Sequence, residues 1–154
     1  MYGKGDAKRS GAPQTYLVDT DLFFFYLRGV ELGQHAERLI ERASAGDVVL
    51  RTSSELYDDT ISSIRGRGNP LEIALQFVAD MKTIPHEAVA VSAEIAEEAL
   101  RLYGAFGSSR RLHYFDAFHV ATGKRYDLSL VTSDGCILEH QADLKIVAKN
   151  LADL

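Results

Sequence analysis

Short apolar runs alternate along the chain with longer stretches whose apolar residues recur at helical spacing. The runs 15–18 (TYLV), 47–51 (DVVLR), 88–91 (AVAV), 128–134 (LSLVTSD) and 144–148 (LKIVA) read as strands. Between them, residues 31–46 place Leu32, Ala36, Leu39, Ile40 and Ala43 on one helical face, with Gly46 as the stop. Residues 52–68 read as a helix broken by glycines. Residues 69–82 form the next helix, opened by Asn69 and Pro70, with Leu71, Ala74, Leu75, Val78 and Met81 on one stripe. The segment 92–106 carries Ile95, Ala99, Leu102, Tyr103 and Phe106 on one face. A further helix spans 112–126, and residues 135–141 make a short helical turn. Strands this apolar, separated by amphipathic helices, predict an α/β fold, in which a mostly parallel sheet of about five strands is covered by helices on both faces.

The run Leu22 to Leu27 (LFFFYL) breaks the amphipathic rule, because it is apolar all round. Three consecutive phenylalanines sweep about 200° of a helix, so one sheet face cannot cover Phe23, Phe24 and Phe25 together. Either a neighbouring helix buries the rest or a protein partner does.

Composition narrows the class. The chain has 154 residues, 46% of them hydrophobic and 25% charged, which suits one domain with a substantial core. Residues 1–14 read as a flexible tail and 15–154 as that domain. No apolar run reaches the ~20 residues of a membrane span, the first fourteen residues lack the apolar centre of a secretory signal, and the single cysteine, Cys136, suits a reducing compartment; the expected location is cytoplasmic. A net charge of −5 argues against nucleic-acid binding by bulk charge, yet leaves room for a nuclease whose acids are neutralised by cations.

The acids are placed for chemistry. In open parallel sheets, sites form beyond the carboxyl ends of the strands. Asp19 follows the first strand, Glu55 the second and Asp134 the fourth, while Asp116 lies early in the helix that leads into the fourth. Carboxylates converging there repel one another, and one or two divalent cations offset that repulsion. Each has a plainer use: Asp19 or Asp21 as the cap of the helix beginning at Leu22, Thr52–Glu55 as a capping box, Asp134 as the cap of a turn. Asp116 lies between Phe115 and Phe118 with no Lys or Arg three or four residues to either side, so its charge needs a partner from elsewhere.

The segments YLVDTDLF, TSSEL and YFDAFHVATGKRYDLSLVTSD, in that order, resemble the PIN-domain ribonucleases, above all the compact VapC-type toxins of toxin–antitoxin pairs. The resemblance runs from Thr15 to about Val147. It implies a three-layer α/β/α fold and hydrolysis of RNA phosphodiester bonds with Mg2+ or Mn2+. The family's acidic quartet falls on Asp19, Glu55, Asp116 and Asp134, with the Thr132 hydroxyl beside the fourth. Within it, Asp19 and Asp116 are expected to ligate metal directly, Glu55 to bind metal or orient water, and Asp134 to act through a water or a second metal. Partners implied are RNA, a cognate antitoxin and a second copy of the chain in a homodimer, with Phe23, Phe24 and Phe25 in the interface. Asp21 stands where family members commonly have Asn or Ser and is a supporting residue; Gly135 and Cys136 stand where a further polar residue is usual.

Arg110 and Arg111, just before Asp116, are expected to contact RNA phosphates, with Arg65 and Arg67 as further candidates. His113 and His119 remain unassigned. The Asp19-x-Asp21 pair also matches a haloacid-dehalogenase-like phosphatase, with Asp19 as nucleophile and Asp21 as acid–base. A non-catalytic PIN-like module that binds RNA or protein is the third reading.

Overall fold

The computed structural model describes residues 11–108 and 111–154. Arg110 lies outside the described residues. Among them run β1 (Gln14–Val18), α1 (Thr20–Arg28), α2 (Gly33–Ser44), β2 (Val48–Ser53), α3 (Leu56–Gly66), α4 (Leu71–Met81), β3 (Glu87–Val89), α5 (Ala93–Phe106), α6 (Tyr114–Tyr126), β4 (Ser129–Thr132), α7 (Gly135–Glu139), α8 (Gln141–Leu144) and β5 (Ala148–Asn150). The strands form one parallel sheet in the order β3-β2-β1-β4-β5, with Tyr16 of β1 registered on Leu50 of β2 and on Ser129 of β4. The α/β/α expectation holds.

Alternation along the central strands separates two cores. Tyr16, Val18 and Val131 face a cluster completed by Leu22, Phe23, Leu39, Leu56, Ile64, Phe77 and Met81. Leu17 and Leu130 face the other, with Ile95, Leu102, Phe118, Val120, Ile137 and Leu144. Strands buried on both faces read as unbroken apolar runs because each side chain, up or down, meets a helix. On the second face α6 is nearly enclosed, every residue from Ala117 to Gly123 being buried. It sits close: a Cβ on Gly123 would stand 2.9 Å from Ile146 Cδ1 and 3.2 Å from the Leu128 carbonyl oxygen. That tight fit fixes the height at which the start of α6, with Asp116, reaches the edge of the sheet. Among the described residues no helix is long and apolar enough to cross a membrane.

Two expectations need correction. The last strand covers Ala148–Asn150 rather than 144–148, because Gln141–Leu144 completes a helical turn that ends at Lys145 with φ of 55°. Leu144 and Ile146 are buried, but from a helix end and a connector, so their apolarity reports burial and not strand. Phe23 is wholly enclosed, edge-on to His86 with 5.0 Å between ring centres, and offers no surface to a partner. Phe24 and Phe25 are half-buried; Phe24 lies 4.8 Å from the Phe77 ring of α4 and beneath the Arg28 guanidinium. Neighbouring helices thus absorb much of the apolar sweep of α1.

Candidate active site at the carboxyl edge of the sheet

The chain moves outward from β1 through β2 to β3, then returns to lay β4 on the other side of β1. A crevice opens where the direction reverses, beyond the strand ends, and such switch points favour ligand sites. A cleft of about 630 Å3 lies there, lined by Asp19, Asp21, Asp59, Ser62, Ser63, Arg67, His113, Tyr114, Phe115, Asp116 and Asp134, together with Thr20.

Asp19 holds its position through both carboxylate oxygens. Oδ1 accepts from the Asp21 backbone N–H at 3.1 Å, the N-cap bond of α1, and Oδ2 accepts from the Thr132 hydroxyl at 2.5 Å. Thr132 Oγ1 in turn accepts from the Asp134 N–H at 3.0 Å, while Asp134 Oδ1 caps α7 through the Ile137 N–H at 3.0 Å. Thr132 therefore ties the end of β4 to the end of β1. Capping and site placement are compatible, since each carboxylate oxygen keeps a second lone pair. Asp21 turns to Ser133, accepting from its backbone N–H at 3.3 Å and from its hydroxyl.

Asp59, rather than Glu55, lines the cleft. Glu55 stands at the N-cap of α3, its own N–H bonded to Ser53 Oγ at 3.1 Å, and no side-chain bond back to Thr52 forms. One helical turn on, Asp59 reaches the cleft and lies within 4.8 Å of ligand atoms of Asp116 and His119. The sequence holds a signal for it: Leu56, Thr60 and Ile64 make the buried line of α3, and Asp59, Ser62 and Ser63 make the polar line beside it. His119, unassigned from sequence, is fully buried with Nε2 3.0 Å from Asp59 Oδ2. Arg67 lines the cleft, whereas Arg65 is engaged with the Asn69 carbonyl oxygen and Arg111 is exposed outside the lining.

The electrostatics of the cleft are those of crowded, buried acids. Burial is the main cause raising the Asp19 carboxyl well above its usual range, with Asp21 and Asp116 adding repulsion against the Thr132 hydrogen bond. Burial likewise raises Asp116 to about 6, helped by Asp134 and Asp59 and opposed by the two nearby histidines. No Lys or Arg among the described residues forms an ion pair with either. Buried charge of one sign needs a counter-charge. The donors are hard carboxylate oxygens with the imidazoles of His113 and His119 nearby, a set that fits Mg2+ or Mn2+ better than softer ions.

No curated protein sequence matches the chain. Solved structures do. VapBC2 from Rickettsia felis, bound to a DNA fragment from its promoter, superposes with a TM-score of 0.66 at 12% identity, over 89% of this chain and 98% of that one. VapBC-1 from nontypeable Haemophilus influenzae gives 0.62 at 12% identity over 90% and 99%. VapC20 from Mycobacterium tuberculosis, a Sarcin-Ricin loop cleaving toxin, gives 0.59 at 19% identity over 78% and 90%. At these identities the likeness is one of fold, and it agrees with the parallel sheet flanked by helices. The PIN-domain profile matches residues 16–141, from the first strand through the cap at Asp134, and the chain belongs to the PIN-domain family.

Proposed function

We propose that the chain is a metal-dependent endoribonuclease, the toxin of a toxin–antitoxin pair. The observation that carries this reading is the convergence of Asp19, Asp59, Asp116 and Asp134 on one cleft of a PIN-domain chain, with no Lys or Arg among the described residues paired to them. Asp19 and Asp116 would hold a divalent cation, with Asp59 and Asp134 completing the set. When bound, Mg2+ or Mn2+ supplies charge stabilisation for an in-line displacement at phosphorus. The chain's own part is positioning. Thr132 and the Asp21 N–H fix Asp19 from two sides, so this carboxylate of the cleft lining is held in place before any ligand arrives. Asp116, raised to about 6, is still ionised at neutral pH, and no side-chain nucleophile is required. Asp21, spent on Ser133, is poorly placed to act as the acid–base of a phosphatase.

The direct test is incubation of the purified protein with mixed RNA in magnesium, in manganese and in chelator. Asp59→Asn is expected to lower cleavage by at least about a hundredfold, the scale of losing one preorganised charged group. Glu55→Gln is expected to leave it within about threefold, since Glu55 stands outside the cleft. The reverse ranking would restore Glu55 to the quartet, and cleavage unaffected by chelator would end the metal-dependent reading.

RNA must also be drawn to an acidic cleft, and Arg67 at its rim can meet a phosphate. Arg67→Ala is expected to weaken RNA binding and to reduce the slope of log affinity against log salt by about one. Filter binding across a salt series reads both, and an unchanged slope would assign Arg67 to plain surface charge. Arg110 and Arg111 are proposed to contact RNA phosphates as well.

For partners, neighbours solved as toxin–antitoxin complexes support a cognate antitoxin, and the part-exposed side of α1 at Phe24 and Phe25 is the proposed contact for it or for a second copy.

A further inference from the structure

His119 sits in the middle of α6 with no solvent exposure, surrounded along the helix by Phe118, Val120 and Ala121. Its Nε2 lies 3.0 Å from Asp59 Oδ2, and its Nδ1, also buried, has no hydrogen-bond partner. The two nitrogens decide the tautomer. A proton on Nδ1 would leave a buried donor unmet and aim the Nε2 lone pair at a carboxylate oxygen. A proton on Nε2 makes a charge-assisted bond to Asp59 and leaves only an acceptor lone pair idle. Nε2–H is the donor.

An apolar side chain would fill this position without stranding a nitrogen, so the imidazole is retained at a cost that packing alone does not offset. What it gains is Asp59. Among the described residues that carboxylate has no other side-chain hydrogen bond, and its side chain is 18% exposed to the cleft. Without His119 it is free to turn about its own torsions. Asp116 lies three residues earlier on α6, hence on the same helical face, so one helix delivers a cleft carboxylate and also fixes the carboxylate that α3 contributes.

We infer that His119 is a positioning residue: its Nε2–H clamps Asp59 Oδ2 across the α3–α6 junction and so presents the other carboxylate oxygen to a divalent cation in the cleft. The inference rests on the metal-dependent reading above. Outer partners of this kind are worth about ten- to a hundredfold in metal affinity.

The test is a pair of amides that differ by one methylene. Gln places its N–H near the reach of Nε2, whereas the shorter Asn cannot span to Asp59. Mn2+ binding is measured by titration calorimetry on wild type, His119→Gln and His119→Asn, with melts in chelator to establish that each is folded. His119→Asn is expected to bind Mn2+ about ten- to a hundredfold more weakly than wild type, and His119→Gln to recover to within about threefold. In an Asp59→Asn background the two amides should no longer differ, because the group they address is gone. Equal affinities for the folded Asn and Gln variants would overturn the role, as would a Mn2+ spin-echo spectrum of wild type with a directly coordinated nitrogen. Wild-type protein that binds no Mn2+ at all would instead overturn the metal-dependent reading itself, and the inference with it.

Discussion

Asp116→Asn is expected to remove metal-dependent RNA cleavage and, in the same preparation, to raise the melting temperature of the metal-free protein near neutral pH. The first effect follows from taking a charged ligand out of the cluster and should reach at least about a hundredfold. The second follows from proton linkage. In the folded chain Asp116 titrates at about 6 against an ordinary value of 3.8. Between those values the folded protein holds a proton that the unfolded chain has released, so stability falls as pH rises through the window and stays at its lower level above about 6. Asn carries no charge at any pH. Its gain over wild type should therefore be about 1–3 kcal/mol above pH 6, allowing for partial solvent screening, and should vanish below about pH 4. Manganese reverses the ranking, because wild type is stabilised by mass action and the variant much less so. Melts at several pH values, with and without manganese, check every part. A variant that melts lower than wild type in chelator, gains as much from manganese and still cuts RNA would take Asp116 out of the site.

The phenylalanines of α1 should separate just as sharply. Phe23→Ala is expected to cost about 3–5 kcal/mol, roughly 6–20 °C in melting temperature for a chain of this size, because the ring is wholly enclosed and its loss leaves a cavity between β1, α1 and His86. Phe25→Glu, at a half-buried position, should cost far less and act on association instead, lowering the apparent mass in light scattering or the affinity for an antitoxin. If Phe25→Glu leaves both unchanged, the contact lies elsewhere. If Phe23→Ala melts within 2 or 3 degrees of wild type, about the shift expected from 1 kcal/mol, the core around α1 is not packed as described.

The strands were legible because a parallel sheet buried on both faces writes itself as apolar runs, and the helices because their stripes keep a 3.6-residue period. Asp19, Asp116 and Asp134 were legible too, each standing at a strand end or at the start of the helix feeding one. What the pattern leaves open shares one cause. Glu55 and Asp59 are one helical turn apart, and only the approach of α6 decides which of them faces the cleft. His119 looked like an isolated polar residue in an apolar stretch because its partner lies 60 residues away. Leu144 and Ile146 announced burial but not the conformation that achieves it. A one-dimensional pattern records how often a side chain meets the core; it does not record which neighbour it meets there.

The hydroxyl bond from Thr132 to Asp19 joins residues 113 apart in the chain. Asp19 is therefore made well before Thr132, and this bond to its second oxygen cannot form until β4 has emerged and docked beside β1. Such long-range pairing is intrinsically slow to form. A growing chain thus carries its first acid with one oxygen unheld until β4 has been made and has docked beside β1.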